Sequence, residues 1–349
     1  MTLRDFRSYP QLEIALEPGV VLVSGSNGAG KTNLLEALHV GTQGFSPRSR
    51  SDAQLVRFGA AAGRVRLRGA NGDARFETEV SLGPRETRRA RLNGGMLSSA
   101  EQLRHELRTL VFTPDRLAVV KGAPAVRRAY LDRALGRFFP ARAGLPVEYA
   151  AAVGQRNAAL RRLAAGASSA DALPPWTEAV VSLGADLVAA RTDAIGFLAA
   201  VFSRCAERLG VQGATISYEG DPPTVAEYEQ RLVRDLERGL TGAGPHLHEL
   251  RFQADGRDLR IYGSQGEQRI AVLAVVLAEA EILADRIGMR PLVLLDDVLS
   301  ELDGDRRLAL AAILSGVGQT MLTSTSAQAF PVEPAQSLVI SAGEVRSLS

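Results

Sequence analysis

Hydrophobic and polar positions along the chain fall into three textures. Up to about residue 115, short apolar or alternating runs dominate. "LEIAL" and "GVVLVSG" predict strands, and "TNLLEALHVGTQ", with apolar residues at helical spacing, predicts a helix. "GRVRLRG", "ARFETEVSL" and "RRARLNG" alternate with period two and are separated by Gly or Asn-Gly turns, as antiparallel strands are.

Between about 116 and 212, alanine and arginine take over. "VRRAYLDRALGRFF", "EYAAAVGQRNAALRRLAAG" and "WTEAVVSLGADLVAARTDAIGFLAAVFSRCAERLG" predict long helices, broken into antiparallel segments by "GASSADALPP". From about 213 strand texture returns in "ATISYEG", "LRFQADGRDLRIYG", "PLVLLDD", "QTMLTST" and "SLVISAGEVRSL". The pattern predicts one α/β domain built from both chain ends, residues 1–115 and 213–349, interrupted by a helical insertion over 116–212.

Composition changes this picture little. The 349 residues suffice for one large core or two domains, and 41 basic against 39 acidic residues leave a net charge too small to announce a polyanion partner. Only Lys31 and Lys121 are lysines; the other cations are arginines. A lysine in such a chain marks a place where a compact point charge is needed rather than a planar fork. The single cysteine, Cys205, excludes an internal disulfide and suggests a reducing compartment. Four histidines show no metal-ligand spacing. No signal peptide precedes "MTLRDFRSYP", and the longest apolar run, Ile270 to Ala278, is too short to span a bilayer. A soluble cytoplasmic protein is expected.

The chemistry begins at "VVLVSGSNGAGKTNLLEAL". Gly25, Ser26, Asn27, Gly28, Ala29, Gly30, Lys31 and Thr32 spell G-x-x-x-x-G-K-T between a predicted buried strand and a predicted helix, the context of a P-loop, and Asn33 follows. Glycines let backbone N–H groups curl around phosphates, and the helix start adds a positive dipole end. Lys31 is expected to reach the β- and γ-phosphates, and the Thr32 hydroxyl to ligate Mg²⁺.

A second acidic anchor lies in "RPLVLLDDVLSELD". Leu292 to Leu295 form an apolar strand ending in Asp296 and Asp297. Carboxylates at the C-terminal tip of such a strand face the ligand crevice of an open sheet. Asp296 is expected to hold the metal and Asp297 to orient or polarise the attacking water, so Lys31, Asp296 and Asp297 form the expected catalytic set.

Upstream of that strand, "YGSQGEQRIAV" has the S-x-x-E spacing of a capping box at Ser264 and Glu267. The order of P-loop, "SQGEQ", acidic strand and "SELD" (Ser300 to Asp303) resembles the ABC-type ATPases. That resemblance implies an ATPase head with a mixed sheet, an antiparallel β subdomain and an inserted α-helical arm. It also implies that two heads pair head to tail, so that Ser264, Gln265, Gly266 and Glu267 of one complete the nucleotide site of the other, with Ser300 and Asp303 in the following loop.

What lies between the motifs narrows the branch. The segment from Lys31 to Ser264 is far shorter than an SMC coiled-coil insertion. "QTMLTSTSAQ" offers Thr323, Ser324 and Thr325 where a transporter head carries a His. "LRDFRSYPQLEIAL", "FTPDRLAVVKGAPAVRRAYLD", "QRNAALR" and "GPHLHEL" together resemble the RecF family, bacterial recombination mediators of the ABC/SMC class. The chain departs from that family at Leu247 and His248, where Arg and Asp are common. The resemblance implies weak ATP hydrolysis, ATP-dependent dimerisation, and binding to duplex DNA or duplex–gap junctions. It also implies work with RecR and RecO in placing RecA on gapped DNA during DNA repair. The alternative is an ABC-type head serving a transporter or another partner without nucleic-acid binding.

Arginine clusters supply the candidate DNA contacts: Arg48, Arg50 and Arg57; Arg85, Arg88, Arg89 and Arg91; and, on the arm, Arg127 and Arg128, with a further pair at Arg161 and Arg162. Little aromatic interleaving accompanies them, so phosphate contact with duplex is expected rather than single-strand stacking.

Overall fold

The computed structural model describes residues 1–49, 51–72, 74–83, 89–286, 288–341 and 343–348. In chain order the first strands are β1 (Thr2–Phe6), β2 (Tyr9–Glu13) and β3 (Val20–Ser24), followed by α1 (Lys31–Gln43). Next come β4 (Gly63–Asn71), β5 (Ala74–Leu82), β6 (Arg89–Leu92), β7 (Gly95–Met96), α2 (Ala100–Glu106) and β8 (Thr109–Phe112). The helical stretch holds α3 (Ala118–Lys121), α4 (Pro124–Phe138), α5 (Leu145–Ala164) and α6 (Pro174–Arg208). After it follow β9 (Thr215–Glu219), α7 (Val225–Arg238), β10 (Glu249–Ala254), β11 (Arg257–Asp258), α8 (Leu259–Tyr262) and α9 (Gln265–Asp285). The chain closes with β12 (Leu292–Leu295), α10 (Gly304–Val317), β13 (Thr320–Ser324), β14 (Gln336–Ser341) and β15 (Glu344–Leu348).

Contacts divide the chain into two compact units, one of residues 1–116, 208–210 and 273–349, the other of 117–207 and 211–272. The division differs from the boundaries expected at 115/116 and 212/213. Strands β9 to β11 form a separate three-stranded sheet and fall with the helices, instead of joining a sheet of the first unit.

The first unit contains two six-stranded sheets. One has the order β15-β14-β3-β13-β12-β8, parallel except for the β14–β15 hairpin at its edge. The other, β2-β1-β4-β5-β6-β7, is antiparallel throughout. Helix α1 is packed between them and is buried on almost every side. Thr78 donates to Gly41 O from β5, and Thr109 donates to Thr42 from β8, both at 2.8 Å. Gly41 lets β4 approach: a Cβ there would lie 2.5 Å from Leu67 Cδ1.

The second unit closes around buried ion pairs. Arg156 of α5 is 1% exposed and donates to Asp235 at 2.8 Å and to Thr241 at 3.0 Å, with its guanidinium 4.5 Å from the Tyr228 ring centroid. Arg191 of α6 grips Asp132 through two bonds of 2.8 and 3.0 Å.

Two strand expectations shift. "LEIAL" is strand only to Glu13, because its partner β1 begins at Thr2 and the Thr2–Glu13 pair ends the ladder. "LRIY" is not strand but the short helix α8, started by Asp258, whose carboxylate accepts from Arg260 N at 2.8 Å. Strand β1, absent from the sequence reading, completes the antiparallel sheet.

Candidate functional site

The C-terminal ends of β3, β12 and β13 lie side by side in one parallel sheet, so whatever follows them shares a crevice. After β3 the chain turns through Gly25, Gly28 and Gly30, with φ of 153°, 80° and 115°. A Cβ on Gly25 would meet Ile340 O at 2.4 Å, and one on Gly30 would meet Tyr9 Oη at 2.9 Å, so close packing as well as backbone sign requires glycine. Tyr9 donates to Gly30 O at 3.0 Å, and burial pushes its phenol well above the usual range. Lys31 opens α1, is 7% exposed, and donates to Gly25 O at 2.7 Å and Ser26 O at 2.9 Å.

From β12, Asp296 meets this loop. Thr32 Oγ1 donates to Asp296 Oδ1 at 3.0 Å, joining residues 264 positions apart. From β13, Thr323 Oγ1 donates to the same carboxylate oxygen at 2.8 Å and accepts from Asp297 N at 2.9 Å. Asp297 is held at φ 50°, a left-handed conformation rare outside glycine, and its Oδ1 is buried without a hydrogen-bond partner. Asn27, Gly28, Gly30, Lys31, Thr32, Asn33, Arg48, Asp296, Asp297 and Thr323 line one cavity of about 260 Å³. A hydroxyl and a carboxylate in contact beside an orphaned carboxylate oxygen fit a small divalent cation that takes oxygen ligands and a phosphate. The lysine and the first-turn N–H groups of α1 suit the phosphates themselves.

Arg48, read from sequence as a duplex contact, instead faces this cavity, 3.9 Å from buried Glu36. Glu36 is also clamped by Arg7 through two 2.8 Å bonds. Arg7 and Glu36 were not singled out by sequence, because nothing local joins residues 29 apart. A wider crevice of about 600 Å³, lined by Arg7, Ser8, Asn33, Gln54, Arg57 and the exposed Phe58, among others, shares Asn33 with the cavity.

The "SQGEQ" stretch lies where α9 starts. Ser264 N and Oγ both donate to Glu267 at 2.8 Å, and Glu267 N donates back to Ser264 Oγ at 3.2 Å, the reciprocal pairing of a capping box. Ser264, Gln265 and Gly266 are exposed, while Gln268 is buried and anchored to Leu259 O at 2.7 Å. Ser300 donates to Asp297 O at 2.9 Å, and Asp303 caps α10 by accepting from Arg306 N at 2.9 Å.

The other arginine candidates separate. Arg127 is corrected: it is 3% exposed and spends its guanidinium on Glu249 and Gly122 O, so it offers nothing to a phosphate. Arg128 is half-buried and donates to His248 O at 2.8 Å. Arg161 is exposed and donates to Gly239 O, and Arg57 pairs with Asp5 at 2.6 Å. Arg89 and Arg91 are exposed on β6. Arg50, Arg85 and Arg88 lie outside the described residues.

A family model described as the RecF/RecN/SMC N terminal domain matches residues 1–341. The DNA replication and repair protein RecF of Heliobacterium modesticaldum is 34% identical over 345 residues, covering 95% of this chain and 93% of that protein. A solved structure of the recombination mediator protein RecF with ATP, from the RecFOR pathway, superposes with a TM-score of 0.86 at 27% identity, covering 100% of this chain and 96% of that one. An Smc head domain from Pyrococcus furiosus with an extended coiled coil, bound to the C-terminal domain of ScpA, gives 0.62 at 16% identity over 100% and 95%, a likeness of fold.

Proposed function

The chain belongs to the RecF/RecN/SMC N-terminal domain family, in its RecF branch, and from that membership we propose that it is an ATP-dependent, DNA-binding recombination mediator. The observation that carries the reading is the convergence of Lys31 and Thr32, Asp296 and Asp297, and Thr323 on one cavity from three parts of the chain. ATP is the nucleotide, and Thr32 with Asp296 holds Mg²⁺, which supplies charge neutralisation on the β- and γ-phosphates.

The protein's own groups then divide the work. Lys31 exchanges its loop carbonyls for phosphate oxygens. Asp297, with a free carboxylate oxygen and a fixed backbone, orients the attacking water and takes its proton. Thr323 positions Asp296 and Asp297 together. Arg48 adds a cation to the phosphate side of the cavity. The crevice by Asn33 and Phe58 suits the remainder of the nucleotide.

ATP joins two copies head to tail, with Ser264, Gln265 and Gly266 of one facing the γ-phosphate held by the other. Their exposure at the start of α9 supports this reading. The dimer grips duplex DNA near a gap, and slow hydrolysis releases it. RecR and RecO are its partners in loading RecA, in the cytoplasm at the nucleoid.

A mixing experiment tests the composite site. Ser264→Arg and Lys31→Met chains are each expected to lack ATPase activity, and their mixture to recover part of it through one intact site. No recovery above either variant alone would leave Ser264 as a helix cap only. Sizing with Mg-ATP and duplex is expected to give a dimer at micromolar concentration.

A further inference from the structure

The antiparallel sheet of the first unit has one buried and one solvent face, and its register sorts the residues on them. Leu3, Val65, Val80 and Ala90 stand opposite one another across β1, β4, β5 and β6 and are buried. One residue along, the register places Arg4 opposite Arg64, Arg64 opposite Ser81, and Ser81 opposite Arg89. All three arginines are exposed. With strands about 4.8 Å apart, the row runs about 14 Å across the sheet. It holds three cations and no acid.

The row on the other side of the buried one is different. There Thr2, Arg66, Glu79 and Arg91 stand in line, and Arg66 binds Glu79. With Glu13 opposite Thr2, that row sets two acids against two cations. In the all-cationic row, among the described residues, only Arg64 reaches a carboxylate, Glu79 at 3.8 Å, and no ion pair joins Arg4 or Arg89 to an acid. Like charges directly opposite in an antiparallel pair destabilise it. The Arg4–Arg64 pairing therefore works against the fold, and an anion laid across the sheet would relieve it.

We propose that the solvent face of this sheet, at Arg4, Arg64 and Arg89, is a contact surface for the phosphate backbone of duplex DNA. This rests on the DNA-binding reading above and gives it a place. The chemistry of the face selects the partner. Guanidinium forks pair bidentately with phosphate. The face carries no aromatic side chain among Thr2, Arg4, Arg64, Arg66, Glu79 and Arg91, so it lacks the platform on which single-stranded bases stack. Among the described residues, the exposed apolar Met96, opposite Arg91, sits on the edge strand β7 and not at the centre, where a protein interface buries its apolar side chains. The contact is positional, without base readout.

The test is duplex affinity of the full chain across a KCl series, with Mg-ATP present. The triple variant Arg4→Gln, Arg64→Gln, Arg89→Gln is expected to lose at least about tenfold in affinity near 0.1 M salt. Its log–log salt slope should fall by about two to three, since each phosphate contact contributes about 0.9. The corresponding triple lysine variant keeps the charge and should keep the slope, which separates charge from folding. The charge-neutral pair Arg66→Gln with Glu79→Gln should leave affinity within about twofold. A glutamine triple with the wild-type slope overturns the proposal while leaving the mediator reading intact. A lysine triple that loses the slope as the glutamine triple does also overturns it. So does a glutamine triple that keeps duplex but loses poly-glutamate, which would make the row a docking site for acidic protein. If wild-type chain binds no duplex at all, the mediator reading falls and this proposal with it.

Discussion

Thr323 donates a 2.8 Å hydrogen bond to the Asp296 oxygen that also accepts from Thr32 at 3.0 Å. The same hydroxyl accepts from the backbone of Asp297 at 2.9 Å, and Thr323 is wholly buried. One side chain on β13 thus fixes a carboxylate rotamer and the strained turn beside it. It occupies the strand end where a transporter head carries a histidine, and it touches the two acids of the cavity through its hydroxyl.

Thr323→Val keeps the shape and deletes that hydroxyl. Removing a ligand-supporting partner typically costs 10–100-fold in activity or metal affinity, so ATP turnover is expected to fall by about that factor and the Mg²⁺ requirement to rise. Thr323→Ser restores the donor and should restore both. Phosphate release measured across a magnesium titration checks this. A valine variant that keeps turnover and magnesium dependence unchanged would remove Thr323 from the positioning role.

Asp297 sits at φ 50° with Oδ1 unpartnered. Asparagine tolerates the left-handed region, so Asp297→Asn should fold with an unchanged melting temperature. Nucleotide binding should persist, while turnover falls about a hundredfold or more, the scale of a lost general base. A fluorescent ATP analogue and single-turnover hydrolysis separate the two effects. Equal losses in binding and turnover would place Asp297 in nucleotide binding instead.

The P-loop and the acidic strand were legible because their signals are contiguous: glycines at fixed offsets after an apolar strand, and a carboxylate pair at the tip of another. Thr323 was visible as a departure, yet its role needed β13 beside β12. Arg48 and Arg7 were unreadable because their meaning lies in Glu36, which reaches them across a fold-dependent gap. Arg127 was misread because α4 is only weakly amphipathic, and its buried side cannot be told from its exposed one by pattern. The row of Arg4, Arg64 and Arg89 required a strand register, which alternation alone does not supply.

Arg156 and Asp235, both almost fully buried, form the polar centre of the second unit. Breaking one side of such a pair strands the other charge. Arg156→Met is expected to destabilise by roughly 3–5 kcal/mol. Replacing both partners, as in Arg156→Met with Asp235→Leu, should recover part of that loss, although Gly242 N loses its acceptor and Thr241 keeps only its bonds to Asn157. Urea unfolding measures both. A single variant within about 1 kcal/mol of wild type would show that the pair is dispensable.

His39 gives the fold a directional pH dependence. It lies on α1, is 3% exposed, and its Nδ1 contacts Phe45 O at 2.8 Å, so that nitrogen carries the proton and donates. Burial is the main cause that lowers its pKa from 6.5 to about 4. The folded state therefore resists a second proton that the unfolded chain takes up readily. Above the unfolded value both states are neutral and the full stability is present. As pH falls from 6.5 toward 4, the unfolded state gains protons first and stability is lost. By pH 5 the loss from this group is about 2 kcal/mol. His39→Gln keeps a donor near Phe45 and removes the titration, so its urea midpoint should fall less between pH 7.5 and pH 5 than that of wild type. Parallel slopes for the two proteins across that range would show that His39 does not govern the acid sensitivity of the P-loop helix.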